Sequence, residues 1–158
     1  MMKPFLYLPV VFVLAFSTLI ATAEKGDFIY TKENPQLEIQ YFRTYDFEPK
    51  GEGAETKNAS QFPQSTTTYI YAMLDAKNLL YQVRDQEYKL TFKYYKGDNY
   101  LMGAFDTNFL VEKGWEYTYY YDSWGSDTPG EWEIGDYHVE LWIGSTQIGD
   151  AKFSITAD

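Results

Sequence analysis

Leu37, Ile39, Tyr41, Tyr45 and Phe47 alternate with Glu38, Gln40, Thr44 and Asp46, a period of two over eleven residues that only Arg43 breaks. Successive side chains of an extended chain point to opposite faces, so this pattern predicts a half-buried β-strand rather than a helix. The period returns in Leu90, Phe92 and Tyr94 against Lys89, Thr91 and Lys93. It returns again in Trp115, Tyr117, Tyr119 and Tyr121 against Glu116, Thr118, Tyr120 and Asp122, and in Tyr137, Val139, Leu141 and Ile143 against His138, Glu140 and Trp142. Residues 66–74 are apolar on both faces, which predicts a central strand covered on two sides. Lys96-Gly97-Asp98-Asn99 carries turn chemistry and predicts a hairpin whose second arm runs to Val111, with Gly103 marking a bulge or a strand start. Gly144-Ser145-Thr146-Gln147 joins the penultimate strand to a last one built on Ala151, Phe153 and Ile155. Residues 48–65 and 122–134 are rich in Gly, Pro, Ser and charge; the first is expected as a long mobile loop, the second as a loop carrying Trp124 and Trp132. No stretch sustains a 3.6-residue period, and the best helical candidate, residues 75–86, lacks an N-cap.

About seven short strands with regular turns predict an all-β chain, an immunoglobulin-like antiparallel β-sandwich, with a jelly roll or small barrel as the alternative. Tyr137 stands just after a turn at the start of the penultimate strand. A tyrosine there can bond its hydroxyl back to the preceding loop, the tyrosine corner of such sandwiches. The residue two positions on is Val139, so a corner here would be of the disulfide-free kind.

The pattern Pro129-Gly130-Glu131-Trp132, Gly135-Asp136-Tyr137-His138-Val139-Glu140-Leu141-Trp142, with Trp124-Gly125 before it and Ile148-Gly149 and Phe153-Ser154-Ile155 after it, resembles the end of bacterial exported immunoglobulin-like domains. Asn78-Leu79-Leu80-Tyr81 through Leu90, Phe92 and Tyr95 is similar to the middle of the same group. The resemblance spans roughly residues 66–156; it implies the sandwich fold and carries over no functional residue.

Residues 1–23 read as a cleavable secretory signal peptide: Lys3 is a positive n-region, residues 5–20 an apolar h-region, and Ala21-Thr22-Ala23 a small-x-small cleavage site before Glu24. Pro4 and Pro9 interrupt a run already short for a membrane anchor. Residues 24–158 are then one domain, expected in the periplasm or the medium. The formal charge of -10 disfavours nucleic acid and anionic membrane surfaces as partners. With no cysteine, stability must come from packing alone.

Chemistry is sparse. There is no thiol nucleophile, and a Ser-His-Asp set would need His138, the only histidine, which has no nucleophile elbow beside it. One histidine and no cysteine cannot make an ordinary structural zinc site, and no cofactor or metal is expected. Asp122, Asp127 and Glu131 share a loop but match no defined calcium-binding spacing. A carboxylate-based hydrolase is the remote alternative, resting on acidic abundance alone.

Two aromatic groups invite binding. Trp124 and Trp132 flank Pro129-Gly130 and, if exposed, offer flat faces to a glycan. Tyr95 and Trp142 fall on one outward face if the strands near 88–95 and 137–143 are neighbours, with Lys93 placed to pair with Glu140. The expected function is an exported, non-enzymatic binding module for a protein partner, through the Tyr95 and Trp142 face or a strand edge. Carbohydrate binding through the loop tryptophans is the alternative.

Overall fold

Alternation in sequence becomes alternation in burial. Tyr88, Leu90, Phe92 and Tyr94 are buried while Glu87 and Lys89 on either side of Tyr88 are exposed, and Tyr137, Val139, Leu141 and Ile143 are buried on the neighbouring strand. The structure, a computed structural model, describes residues 36–49 and 59–158. The signal-peptide reading of residues 1–23 and residues 50–58 of the expected long loop lie outside them.

The described residues form eight strands: β1 (Leu37–Tyr45), β2 (Gln61–Pro63), β3 (Tyr69–Asn78), β4 (Gln86–Lys96), β5 (Tyr100–Val111), β6 (Tyr117–Gly125), β7 (Gly135–Ile143) and β8 (Thr146–Thr156). One sheet has the order β1-β3-β6, the other β2-β8-β7-β4-β5. Pairing is antiparallel except where β2 runs parallel to β8, setting Phe62 beside Ile155. The molecule is an all-β, immunoglobulin-like sandwich.

The inner faces meet in one core that includes Ile70, Leu74, Phe92, Leu141, Phe153 and Ile155. Aromatic rings bridge the two sheets: Phe42 of β1 and Tyr120 of β6 stand 6.3 and 6.1 Å from Phe92 of β4, and Trp124 stands 6.1 Å from Tyr94. Fully burying a side chain of this size stabilises by about 1.5–3 kcal/mol, so a handful of such rings can do the work that a disulfide does elsewhere. The Tyr137 hydroxyl donates to the Glu133 carbonyl at 2.6 Å, which is the geometry of the tyrosine corner.

Residues 75–86 form no helix, in keeping with the missing N-cap: β3 continues to Asn78 and turns lead into β4. Asn78 organises that connection, donating to the Glu112 and Trp115 carbonyls and accepting from the Leu80 amide and the Gln86 side chain. The 48–65 loop contains β2, which Phe62 anchors by packing 6.0 Å from Phe153. Residues 122–125 belong to β6 rather than a loop, because Ile70 pairs with Trp124 and Tyr69 with Gly125. Trp115 precedes β6, in a turn closed by its amide on the Glu112 carbonyl. The bulge expected at Gly103 is present, with a register shift opposite Tyr94 and Tyr95. The last hairpin closes with only Gly144-Ser145, Gly144 taking φ +59°, where a side chain would be strained.

Candidate functional site

The tyrosine excess collects on the outer face of the three-stranded sheet. Inward positions of β3 and β6 are small or apolar, including Ile70, Ala72, Leu74, Thr118 and Tyr120, so the alternate positions must turn outward. Those positions are Tyr69, Tyr71, Met73, Asp75 and Lys77 on β3, and Tyr117, Tyr119 and Tyr121 on β6. A bulge near Gln40 shifts β1 so that Tyr41, Arg43 and Tyr45 join the same face. Seven of the chain's 16 tyrosines therefore lie on this side of the sheet, Tyr45 buried and the other six at least partly exposed.

Cross-strand pairing builds this surface in rows. Arg43, Met73 and Tyr121 form one, and Tyr41, Asp75 and Tyr119 another. At one end Tyr45 and Met73 are buried beneath Tyr71, Tyr121 and Phe47. At the other, Tyr117 and Tyr119 are 57% and 47% exposed. Tyr119 and Tyr121 run nearly parallel, 6.5 Å between ring centroids, and Arg43 lies 4.1 Å above the Tyr41 ring. Acidic side chains hold the hydroxyls: Tyr41 donates to Asp75 at 3.2 Å, Tyr69 to Asp127 at 2.9 Å and Tyr121 to Glu48 at 2.6 Å. The Glu48 bond, with burial and the charge of Glu48 behind it, pushes the Tyr121 hydroxyl up to about 12. The bond to Asp127 raises Tyr69 in the same direction.

A cleft of about 600 Å³ opens at the sandwich end, where β5 and β6 meet. Its apolar lining includes Trp124, Met102, Trp132 and Tyr137, with Tyr100, 70% exposed, beside them. A Cβ on Gly103 would fall 2.1 Å from the Trp124 ring, so only glycine lets the indole lie against β5. Lys96 and Glu133 form an ion pair on the rim, which raises the lysine and lowers the carboxyl, and Glu131 is exposed beside them.

Of the residues singled out by sequence, Trp132 is 5% exposed and donates its indole N–H to the Thr68 carbonyl at 2.8 Å. It stands edge-on to Tyr137 and Phe153 and caps the core. Trp124 is half-buried and lines the cleft. Tyr95 and Trp142 do share an outward face, since β4 pairs with β7 and sets Tyr95 beside His138 and Thr91 beside Trp142. Their ring faces are occupied from within: Tyr95 stacks on His138 at 4.7 Å, and the Lys93 ammonium lies 4.1 Å over Trp142. Lys93 and Glu140 are register partners, yet Glu140 accepts the Trp142 indole N–H at 2.9 Å. Burial and Glu140 raise the Tyr95 hydroxyl above its ordinary range. Asp122, Asp127 and Glu131 do not converge: Asp127 bonds Tyr69, Asp122 accepts the Ser123 amide, and no group of three or more His, Asp or Glu poised for a metal occurs among the described residues. Sequence reasoning missed the tyrosine face. Its signal was the unbroken alternation of Tyr117, Tyr119 and Tyr121 with Tyr69 and Tyr71.

No family model matches the sequence, and no curated protein matches it. Among solved structures, the chain is similar to the Pseudomonas fluorescens alkylpurine DNA glycosylase AlkC, at 9% identity and a TM-score of 0.50, over 78% of this chain and 31% of that one. An immunoglobulin-like protein from Pseudomonas aeruginosa matches at 14% identity and a TM-score of 0.47, over 77% and 98%. A glycosyl hydrolase family 2 member from Bacteroides cellulosilyticus matches at 15% and 0.47, over 76% and 15%. The chain thus spans under a third of the glycosylase and under a sixth of the hydrolase. At these identities the likeness concerns fold alone.

Proposed function

We propose that this chain is an exported, non-enzymatic binding module that holds a protein partner against the outer tyrosine face of its three-stranded sheet. The observation that carries the reading is the convergence of six at least partly exposed tyrosines and Arg43 on one surface, with Tyr117 and Tyr119 about half exposed. Tyrosine and arginine are the residues that protein interfaces enrich, and a contiguous exposed aromatic patch on a sheet is costly in water without a use. Hydroxyl bonds to Asp75, Asp127 and Glu48 hold the rings before any partner arrives, which lowers the ordering cost of association. Those carboxylates and the charge of -10 favour a partner with a basic surface. The signal-peptide pattern of residues 1–23 supports a setting outside the cytoplasm.

The Tyr95 and Trp142 face is the weaker candidate because both rings are half-buried, where Tyr117 and Tyr119 are exposed. A photo-crosslinking residue placed at position 119 in the source organism should trap a discrete protein adduct, while one at the exposed Leu110 of β5 should trap none. Adducts at 110 and none at 119 would overturn the assignment of the face.

A further inference from the structure

The end cleft lies apart from the tyrosine face, on the side where β5 of one sheet meets β6 of the other, and it has the make-up of a small-molecule site. About 600 Å³ falls within the range of ligand pockets. Trp124 and Met102 give it apolar surface, and Tyr100 adds a second, exposed ring. The polar groups that line it are Lys96, Glu131, Glu133 and Ser126, and the buried Trp132 and Tyr137 also border it.

We propose that this cleft binds a neutral saccharide. A pyranose has an apolar C–H face that fits an indole plane and a rim of hydroxyls that carboxylates and an ammonium can bond, and the cleft is lined by both chemistries. Charge narrows the class. The one lysine lining the cleft is engaged by Glu133, and Glu131 adds a further negative charge, so a phosphate or carboxylate ligand meets repulsion without a free cation to offset it. Trp132 also borders the cleft but is only 5% exposed, so it offers little area for stacking. The stacking surface is therefore Trp124 with Tyr100. Gly103 is what permits it, since any side chain there would displace the indole.

The four indole N–H resonances of the ¹⁵N-labelled protein test this directly. Titration with glucose, N-acetylglucosamine, maltose and cellobiose should shift the Trp124 resonance saturably with at least one sugar. The Trp132 resonance, held on the Thr68 carbonyl, should stay put. Tyr100→Ala, at an exposed position that the fold does not need, should weaken that binding about three- to tenfold, as loss of one ring contact does. Glu131→Gln should keep the indole spectrum of the free protein and change the affinity. If no sugar moves Trp124, or if Tyr100→Ala binds as tightly as wild type, the assignment fails. It fails equally if free indole saturates the cleft and no saccharide does.

Discussion

Trp124 and Gly103 show how one missing side chain shapes a site. The indole rests where a Cβ of residue 103 would be, 2.1 Å from its nearest ring atom. Gly103→Ala should therefore push Trp124 out of contact with Tyr94 and cost about 1–3 kcal/mol, the range for overpacking a core. Urea unfolding reads the loss, and a red shift in tryptophan emission reads the displacement. Asn78 plays a comparable part at the opposite end. It is 1% exposed and ties two carbonyls, one amide and Gln86 together, so Asn78→Ala leaves several buried polar groups unpaired. A loss of about 2–4 kcal/mol is expected in the same unfolding measurement, since each orphaned group costs about 1–3 kcal/mol. Loss below about 0.5 kcal/mol would mean that water replaces the asparagine there.

At the scale of elements, strands were legible wherever one face meets the core and the other meets water. β4, β7 and β8 follow their period-two patterns closely, and Tyr137 makes its corner bond as the turn before it implies. Two kinds of element escaped the pattern. β2 is three residues long and is held by pairing with β8, a contact that no local period encodes. Residues 79–86 carry no sustained period of either kind, and the Asn78 network that shapes this connection is tertiary. The face of β6 was visible as a row of tyrosines, but its direction was not. Strand period separates two faces without saying which is inside, and Trp124 and Tyr120 rather than Tyr117 and Tyr119 turned out to be inward. Removing the corner hydroxyl by Tyr137→Phe should lower stability by about 0.5–1.5 kcal/mol with the fold retained, as circular dichroism and urea unfolding can show together.

At the scale of the whole molecule, the sandwich divides its labour. On the five-stranded sheet Tyr95 and Trp142 are half-buried against His138 and Lys93, whereas on the three-stranded sheet Tyr117 and Tyr119 are about half exposed. The tyrosines also set an alkaline limit. Tyr121 is pushed up to about 12 by Glu48, against an ordinary value of 10.0, so between those values the folded protein keeps a proton that the unfolded chain releases. Stability should thus be unaffected by this group below pH 10 and fall as pH rises through the window. Tyr121→Phe should flatten the decline in unfolding midpoint over that range.

The claim that the tyrosine face is the binding surface is tested most directly by the affinity of the partner trapped at position 119 for the double variant Tyr117→Ser/Tyr119→Ser. Both side chains are exposed, so the unfolding midpoint should match wild type, while the affinity should fall about a hundredfold, as for loss of two interface tyrosines. Undiminished affinity in a normally folded double variant would contradict the account.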